Sequence, residues 1–377
     1  MKALHSLAAF YLQKYRVKIA AVTGSMGKTT TKDFCAAVLG QQFRVHKTSG
    51  NLNTDIGVPL TIFGLDSSHD ALVLEFGMRH GGEIRQLTHL VHPDAAVVTN
   101  VGPVHLETMK TLENIAAAKA EILEGLMPDG WAVLNGDDPW VSQWAPPRGA
   151  LSITYGLGAD CDLRGVDMMV DSHGKAEFTA RWKAEEARVR LPIPGIQNVN
   201  NALAALAVGL CFGVPLASAC YGLGKAEFSG MRLQIEEAPG GVMLINDCYN
   251  SNPLSAAAAL DIVDALHQGR RRVLVMGDML ELGDLAHSAH AELGRYCAQV
   301  GDVLLFVGKW GAAVREGALA EGMSPSAVVL TEDSRAAALV AADLVKSGDL
   351  VLLKGSRGVN LEVVAAELLR REGVNES

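Results

Sequence analysis

The run Val22-Thr23-Gly24-Ser25-Met26-Gly27-Lys28-Thr29-Thr30 sets two glycines, a lysine and adjacent threonines within the first thirty residues. Glycines at 24 and 27 let the backbone approach an anion closely and turn its N–H groups toward phosphate oxygens. Lys28 supplies a point charge for the outer phosphates of a nucleotide, and the Thr29 hydroxyl is placed to ligate Mg²⁺. A helix beginning near Thr30 aims its positive end at the same anion. Gly24, Ser25, Met26, Gly27, Lys28, Thr29 and Thr30 are therefore a candidate phosphate cradle. The general pattern G-x-x-x-x-G-K-[ST] asks for glycine where Val22 stands, so the flanking elements must carry the assignment.

Those elements fit. Lys18–Val22 is a short apolar run suited to a buried strand, and Lys32–Leu39 has helical apolar spacing. Strand-like runs recur at Ala71–Glu75, Ala95–Thr99 and Trp131–Asn135, each separated by a helix-length segment. This alternation marks a parallel α/β sheet covered by helices. Between about 150 and 194 the runs shorten and alternate, as in Ala176–Trp182 and Ala187–Leu191, which predicts a small antiparallel appendage. A second α/β series follows Phe228-Ser-Gly-Met231, with strands at Val242–Asn246, Arg272–Met276, Val303–Val307 and Leu350–Lys354. The expectation is an α/β protein: a P-loop parallel-sheet ATP-binding domain over 1–228, with the appendage at 150–194, then a Rossmann-like α/β domain over 229–377.

Bulk properties agree with a folded two-domain chain. Its 377 residues are 49% hydrophobic and 20% charged, a globular composition at a length suited to two cores. A formal charge of -9 argues against a general nucleic-acid or membrane-surface binder. The six cysteines (35, 161, 211, 220, 248 and 297) form no C-x-x-C pair, which reads as reduced thiols in a cytoplasmic protein. Met1–Arg16 has helical spacing but lacks the uninterrupted apolar core of a signal peptide, so it is expected as a helix lying on the nucleotide domain. Ile196–Gly224 carries no charge and is long enough to span a bilayer, but Gly213 and Pro215 break it. A buried helix, a turn and a second helix are expected there, with no membrane span.

Open α/β sheets bind ligands beyond the carboxyl ends of their strands. Glu75 ends one strand; Thr99-Asn100 ends another and leads to His105. A carboxylate and an imidazole beside Thr29 would complete a site for one or two divalent cations. Asn51 and Asn53 lie in a polar loop that would face substrate. Lys119, on a predicted helix after His105, reads by itself as a surface lysine.

The segments TGSMGKTT, NLNTDIGVPL, LEFGMRHGGEI, VVTNVGPVHLE, AAAKAEI, PGIQNVNNALAA, GMRLQ, INDCYNSNP, VMGDMLELG and LLKGSRG, spread from about residue 18 to 365, together resemble the Mur ligases. NDCYNSNP, GDMLELG and KGSRG favour the branch that adds D-alanyl-D-alanine to UDP-N-acetylmuramoyl-tripeptide over sister ligases and folylpolyglutamate synthase. The resemblance implies ATP-dependent amide ligation through an acyl phosphate in the cytoplasm. Lys28 would bind the outer phosphates of ATP, and Thr29 and Glu75 a Mg²⁺ shared with them. His105 would hold a second Mg²⁺ together with Lys119, at the position where relatives carry a carbamylated lysine. Asn198 and Asn201 would close over the nucleotide, while Arg232 and Asp247 approach its phosphates and ribose, with Tyr249, Asn250 and Asn252 extending that surface. Lys354, Ser356 and Arg357 would serve the incoming amino component. Closure of the second domain would exclude water from the acyl phosphate.

Two departures stand out. Gln197 occupies a position where the family pattern has histidine, which removes an imidazole contact. Only about twenty residues precede the loop, whereas the resemblance implies an additional domain for the UDP end; the alternatives are a domain lost, one supplied by a separate chain, or one encoded upstream of Met1. Competing expectations are a Mur-type ligase with another acceptor and a non-catalytic nucleotide-binding paralogue.

Overall fold

The computed structural model describes residues 1–228, 230 and 233–370. They form two compact units, Met1–Asp171 with Lys175–Ser229, and Ser172–Gly174 with Gly230–Ser377. Arg232 lies outside the described residues.

The strands of the first unit are β1 (Lys18–Thr23), β2 (Val45–Lys47), β3 (Ala71–Glu75), β4 (Ala95–Val98), β5 (Trp131–Asn135), β6 (Leu151–Gly156), β7 (Leu163–Val170), β8 (Lys175–Trp182) and β9 (Glu185–Pro194). They make one sheet in the order β2-β3-β1-β4-β5-β6-β7-β8-β9. Pairing is parallel from β2 to β7, and β8 and β9 are antiparallel. The segment expected as an appendage thus extends the main sheet, and its first strand β6 is parallel to β5. Short alternating strands do not encode which edge they join, because that is decided by packing against neighbours.

Both faces of this sheet are covered. β1 turns Ala20 and Val22 to one face, where Phe34 and Val38 of the helix Lys28–Leu39 and Leu203 of the helix Asn198–Cys211 meet them. It turns Ile19 and Ala21 to the other, toward Leu74, Ile84, Ile115 and the N-terminal helix Lys2–Leu12 through Ala8 and Leu12. Burial on both faces explains why the central strands are continuously apolar. Tyr11 donates its hydroxyl to the Leu65 carbonyl at 2.9 Å, tying the N-terminal helix down. The uncharged segment forms helices Asn198–Cys211 and Leu216–Leu223, separated by Gly213 at φ +87° and Pro215. Among the described residues no helix is long and apolar enough to cross a membrane.

The second unit has strands β10 (Gln234–Ala238), β11 (Val242–Asp247), β12 (Arg272–Gly277), β13 (Val303–Val307), β14 (Val328–Thr331) and β15 (Leu350–Lys354). Their order is β10-β11-β15-β12-β13-β14, parallel apart from the antiparallel edge strand β10. Helices on both faces again enclose apolar strands, with Leu260, Val263 and Leu293 on one side and Ala337, Val364 and Leu368 on the other.

Candidate active site

The turn from β1 into the helix Lys28–Leu39 lies where β1 is flanked by β3 and β4 and the chain's progress across the sheet reverses. Val22 is buried within β1, paired with Glu75 and Val97. The position where the general motif has glycine is therefore strand here, and the turn begins at Gly24. A Cβ on Gly24 would stand 1.8 Å from Thr99 Oγ1, and one on Gly27, at φ +77°, would stand 2.2 Å from Asn201 Oδ1. Neither position tolerates a side chain. The helix starts at Lys28, two residues earlier than the sequence suggests, which brings its positive end into the loop itself.

Hydrogen bonds to the end of β4 hold the loop. Thr99 Oγ1 donates to Met26 O at 2.5 Å, Asn100 Oδ1 accepts from Met26 N at 2.9 Å, and Gly102 N donates to Ser25 Oγ at 2.8 Å. Lys28 Nζ curls over the loop to Gly24 O at 2.8 Å and Ser25 O at 3.3 Å. Its ammonium is thus held above the backbone that would cradle phosphate. Thr30, half-buried, follows on the first turn of the helix.

Glu75, 1% exposed, is gripped from both sides. Thr29 donates its hydroxyl to Oε2 at 2.7 Å and Asn53 donates its amide to Oε1 at 2.8 Å. The Glu75 backbone N–H donates to Thr48 Oγ1 at 3.1 Å. Asn53 is thereby joined to the metal-binding candidates, while Asn51, in the same loop, is exposed and accepts through its carbonyl from Asn53 N at 2.8 Å. A hydroxyl and a carboxylate side by side are hard oxygen donors suited to Mg²⁺, which retains waters and takes one or two carboxylates with substrate phosphates. Among the described residues no group of three or more His, Cys, Asp or Glu could hold a metal ion alone. The Thr29–Glu75 pair thus fits a cation shared with a phosphate ligand.

His105 caps the short helix Leu106–Met109 in the left-handed conformation at φ 54°, a cost of about 1–3 kcal/mol for a non-glycine residue that marks a constrained position. Lys119, expected from its flanks as a surface residue, is 1% exposed near the end of the helix Leu112–Ala120. Burial drives its ammonium well below the ordinary lysine range, and the nearby Lys28 charge adds to this. The alanines around it place it against the core.

Asn201 accepts from Thr31 Oγ1 at 3.3 Å and donates to Asn198 Oδ1 at 3.0 Å, and Asn198 donates to Pro194 O at 2.8 Å. The asparagine pair thus begins the long helix directly behind Gly27. Gln197, half-buried, precedes it and makes no side-chain cap.

In the second unit, β11 and β15 bring Asp247 and Lys354 into register. Lys354 Nζ, buried, donates to Asp247 Oδ2 at 2.6 Å and Asn250 O at 3.1 Å. Asp247 Oδ1 also accepts from Leu233 N at 3.3 Å. Asn252 caps the helix Pro253–Leu266, its side chain accepting from Ser255 N; that side of the amide is engaged in the cap. Ser356 Oγ accepts from Leu280 N at 2.9 Å and donates to Ser251 O at 3.3 Å. Tyr249 is half-buried and Asn250 exposed, and exposed Arg357 pairs with Glu362 at 2.9 Å.

Four residues that sequence reasoning did not single out brace these groups. Thr48 and the fully buried Lys32 stand behind Glu75. In the second unit Asp278 accepts from Lys309 N and Trp310 N, each at 3.1 Å, and its carbonyl accepts from Ser356 N. His290, fully buried, accepts from Met279 N at 2.9 Å through Nε2 and stacks on Trp310. The one available signal was the GDMLELG segment around Asp278.

Comparison with known proteins places this geometry. The Mur ligase middle domain model matches residues 22–209, and the Mur ligase, glutamate ligase domain model matches 231–357. The UDP-N-acetylmuramoyl-tripeptide--D-alanyl-D-alanine ligase of Bacillus subtilis is 40% identical over 98% of this chain and 79% of its own. The crystal structure of MurF from Acinetobacter baumannii superposes with a TM-score of 0.88 at 31% identity, covering 98% of this chain and 80% of that one. MurF ligase from Thermotoga maritima in complex with ADP gives 0.83 at 29% identity, covering 98% and 83%. From the glycine loop to the last strand of the second sheet, this chain belongs to the Mur ligase family.

Proposed function

We infer that this chain is an ATP-dependent ligase that joins D-alanyl-D-alanine to UDP-N-acetylmuramoyl-tripeptide in peptidoglycan precursor synthesis. The carrying observation is the Thr29–Glu75–Asn53 constellation beside the glycine loop, in a chain 40% identical to a ligase of that reaction over nearly its whole length. Residues 1–228 serve as the ATP-binding domain and 229–377 as the second ligase domain.

The chemistry divides between charge control and positioning. The tripeptide carboxylate attacks the γ-phosphorus of ATP, ADP leaves, the dipeptide amine attacks the acyl carbon, and phosphate leaves. Both nucleophile and phosphate are anionic in the first step, so donors already aimed at the phosphate lower the barrier. Gly24 to Thr30 supply backbone N–H groups and Lys28 a movable ammonium. Mg²⁺, held by Thr29 and Glu75, with a second ion held by His105 and Lys119, would neutralise the remaining phosphate charge. Glu75 needs both of its grips to face the ion in one orientation. As an ammonium Lys119 cannot ligate a cation, whereas as a carbamate, formed when its neutral amine adds CO₂ and releases a proton, it becomes a carboxylate-like ligand.

Asn198 and Asn201 orient the nucleotide, and Arg232, Asp247, Tyr249 and Asn252 act on its phosphates and ribose. Asn51, Asn53, Asn250, Lys354, Ser356 and Arg357 serve the peptide and dipeptide. The reaction runs in the cytoplasm, where ATP and the UDP-activated precursor are found. Phosphate release that depends on both UDP-muramyl-tripeptide and D-alanyl-D-alanine tests the reading. Lys28→Ala should lower it by at least about 10²-fold; an unchanged turnover would refute it.

A further inference from the structure

Lys32 is buried completely. Its Nζ donates to Thr48 O at 2.9 Å and lies 3.2 Å from Asp33 Oδ1. Lys47, on β2, closes on the same Asp33 oxygen at 2.7 Å. The two lysines thus clamp one carboxylate on the helix Lys28–Leu39 to the end of β2. Thr48 is the next residue after β2 and fully buried, and its hydroxyl accepts from Glu75 N at 3.1 Å. Its own N–H donates to Val73 O at 3.0 Å. Five residues on, Asn53 grips Glu75 Oε1, and its carbonyl accepts from Gly77 N at 2.8 Å.

A surface ion pair in place of Lys32 would add little, whereas a buried ammonium is costly unless its geometry is used. A buried apolar side chain would fill the same space without that cost. The ammonium's bond to the Thr48 carbonyl connects the helix Lys28–Leu39 to the loop that carries Asn53, a partner of Glu75.

We propose that Lys32 is a positioning residue for the metal site: through Thr48 it fixes the segment Thr48–Asn53, and through that segment the rotamer of Glu75. The proposal rests on the reading of Glu75 as a Mg²⁺ ligand. Lys32 Nζ bonds the Thr48 carbonyl and pairs with Asp33. Its effect is on how well Glu75 is presented, and outer partners of metal ligands characteristically carry about 10- to 100-fold in metal affinity.

The test is Mn²⁺ binding to the ADP complex of the full chain, followed by electron paramagnetic resonance, beside hydrogen exchange of the peptide covering residues 47–57. Lys32→Met should weaken Mn²⁺ by at least about 10-fold and speed exchange at Thr48–Asn53, while ADP binding without metal stays within twofold. Lys32→Arg, which keeps a cation and a donor, should recover most of the loss. Thr48→Val removes only the hydroxyl that holds Glu75 N and should shift Mn²⁺ affinity in the same direction, which decides the matter if Lys32→Met does not fold. Unchanged Mn²⁺ affinity in folded Lys32→Met, or in Thr48→Val when Lys32→Met is unfolded, overturns the proposal. Glu75→Gln separates the two levels: if it leaves Mn²⁺ affinity unchanged, the metal reading itself fails; if it abolishes binding while Lys32→Met does not alter it, only the role of Lys32 fails.

Discussion

Lys119 is buried with no hydrogen-bond or ion-pair partner for its Nζ among the described residues. An uncompensated buried charge costs several kcal/mol, so burial lowers the Lys119 pKa well below the ordinary lysine range and favours the neutral amine, the form that reacts with CO₂. The enzyme prepared in carbon-13 bicarbonate should therefore show a protein carbamate resonance that is absent in Lys119→Ala, and that variant should lose about 10- to 100-fold in activity. A wild-type spectrum without the resonance, with activity retained by Lys119→Ala, would remove the residue from the site. The sequence left Lys119 as a surface lysine on its own merits, because a helix position reveals its burial only once its neighbours are known. Lys28, Thr29 and Glu75 were legible for the opposite reason: a glycine turn after an apolar strand, and a carboxylate at the next strand's end, state their chemistry locally. Thr48 and Lys32 left no such trace, since each acts through a residue distant in sequence.

At the scale of elements, the glycine loop is a contact surface as much as a turn. With φ +77° and a virtual Cβ 2.2 Å from Asn201 Oδ1, Gly27→Ala should destabilise the first unit by about 1–3 kcal/mol and displace the helix Asn198–Cys211. Urea unfolding measures the first effect and nucleotide titration the second; a variant with wild-type midpoint and affinity would contradict this packing. In the second unit His290 provides a pH test. Burial lowers its pKa below the usual 6.5, and Met279 N donates to its Nε2, so the folded state holds it neutral. Between that depressed value and 6.5 the unfolded chain binds the extra proton, so stability is complete above the unfolded pKa and falls as pH drops through this window. Melting at about pH 7.5 and about pH 5.5 should show a larger loss for the wild type than for His290→Gln; equal losses would exclude the histidine. The strands that sequence patterns did not announce are β2, β10 and β14. β2 is three half-buried residues and β10 is Gln-Ile-Glu-Glu-Ala on an edge, so neither carries the apolar run that marks a central strand.

For the molecule as a whole, two apolar cores of similar construction bear one set of chemical groups each. The first unit presents the glycine loop with Thr29, Glu75 and Asn53, and the second presents Asp247, Lys354 and Ser356 at the ends of β11 and β15. The α/β character of both, and the helix-turn-helix of the uncharged segment, could be read from alternation and from Gly213 and Pro215. The continuation of the first sheet through β7 to β9 could not, because it depends on edge pairing. A net charge of -9 is compatible with the proposed phosphate site, because Lys28 and the helix end act at short range. The central claim is an acyl phosphate between the tripeptide carboxylate and ATP, and oxygen-18 in that carboxylate tests it most directly. With ATP, Mg²⁺ and D-alanyl-D-alanine, one labelled oxygen should appear in the phosphate released with each amide formed. Amide formation with unlabelled phosphate would contradict the mechanism.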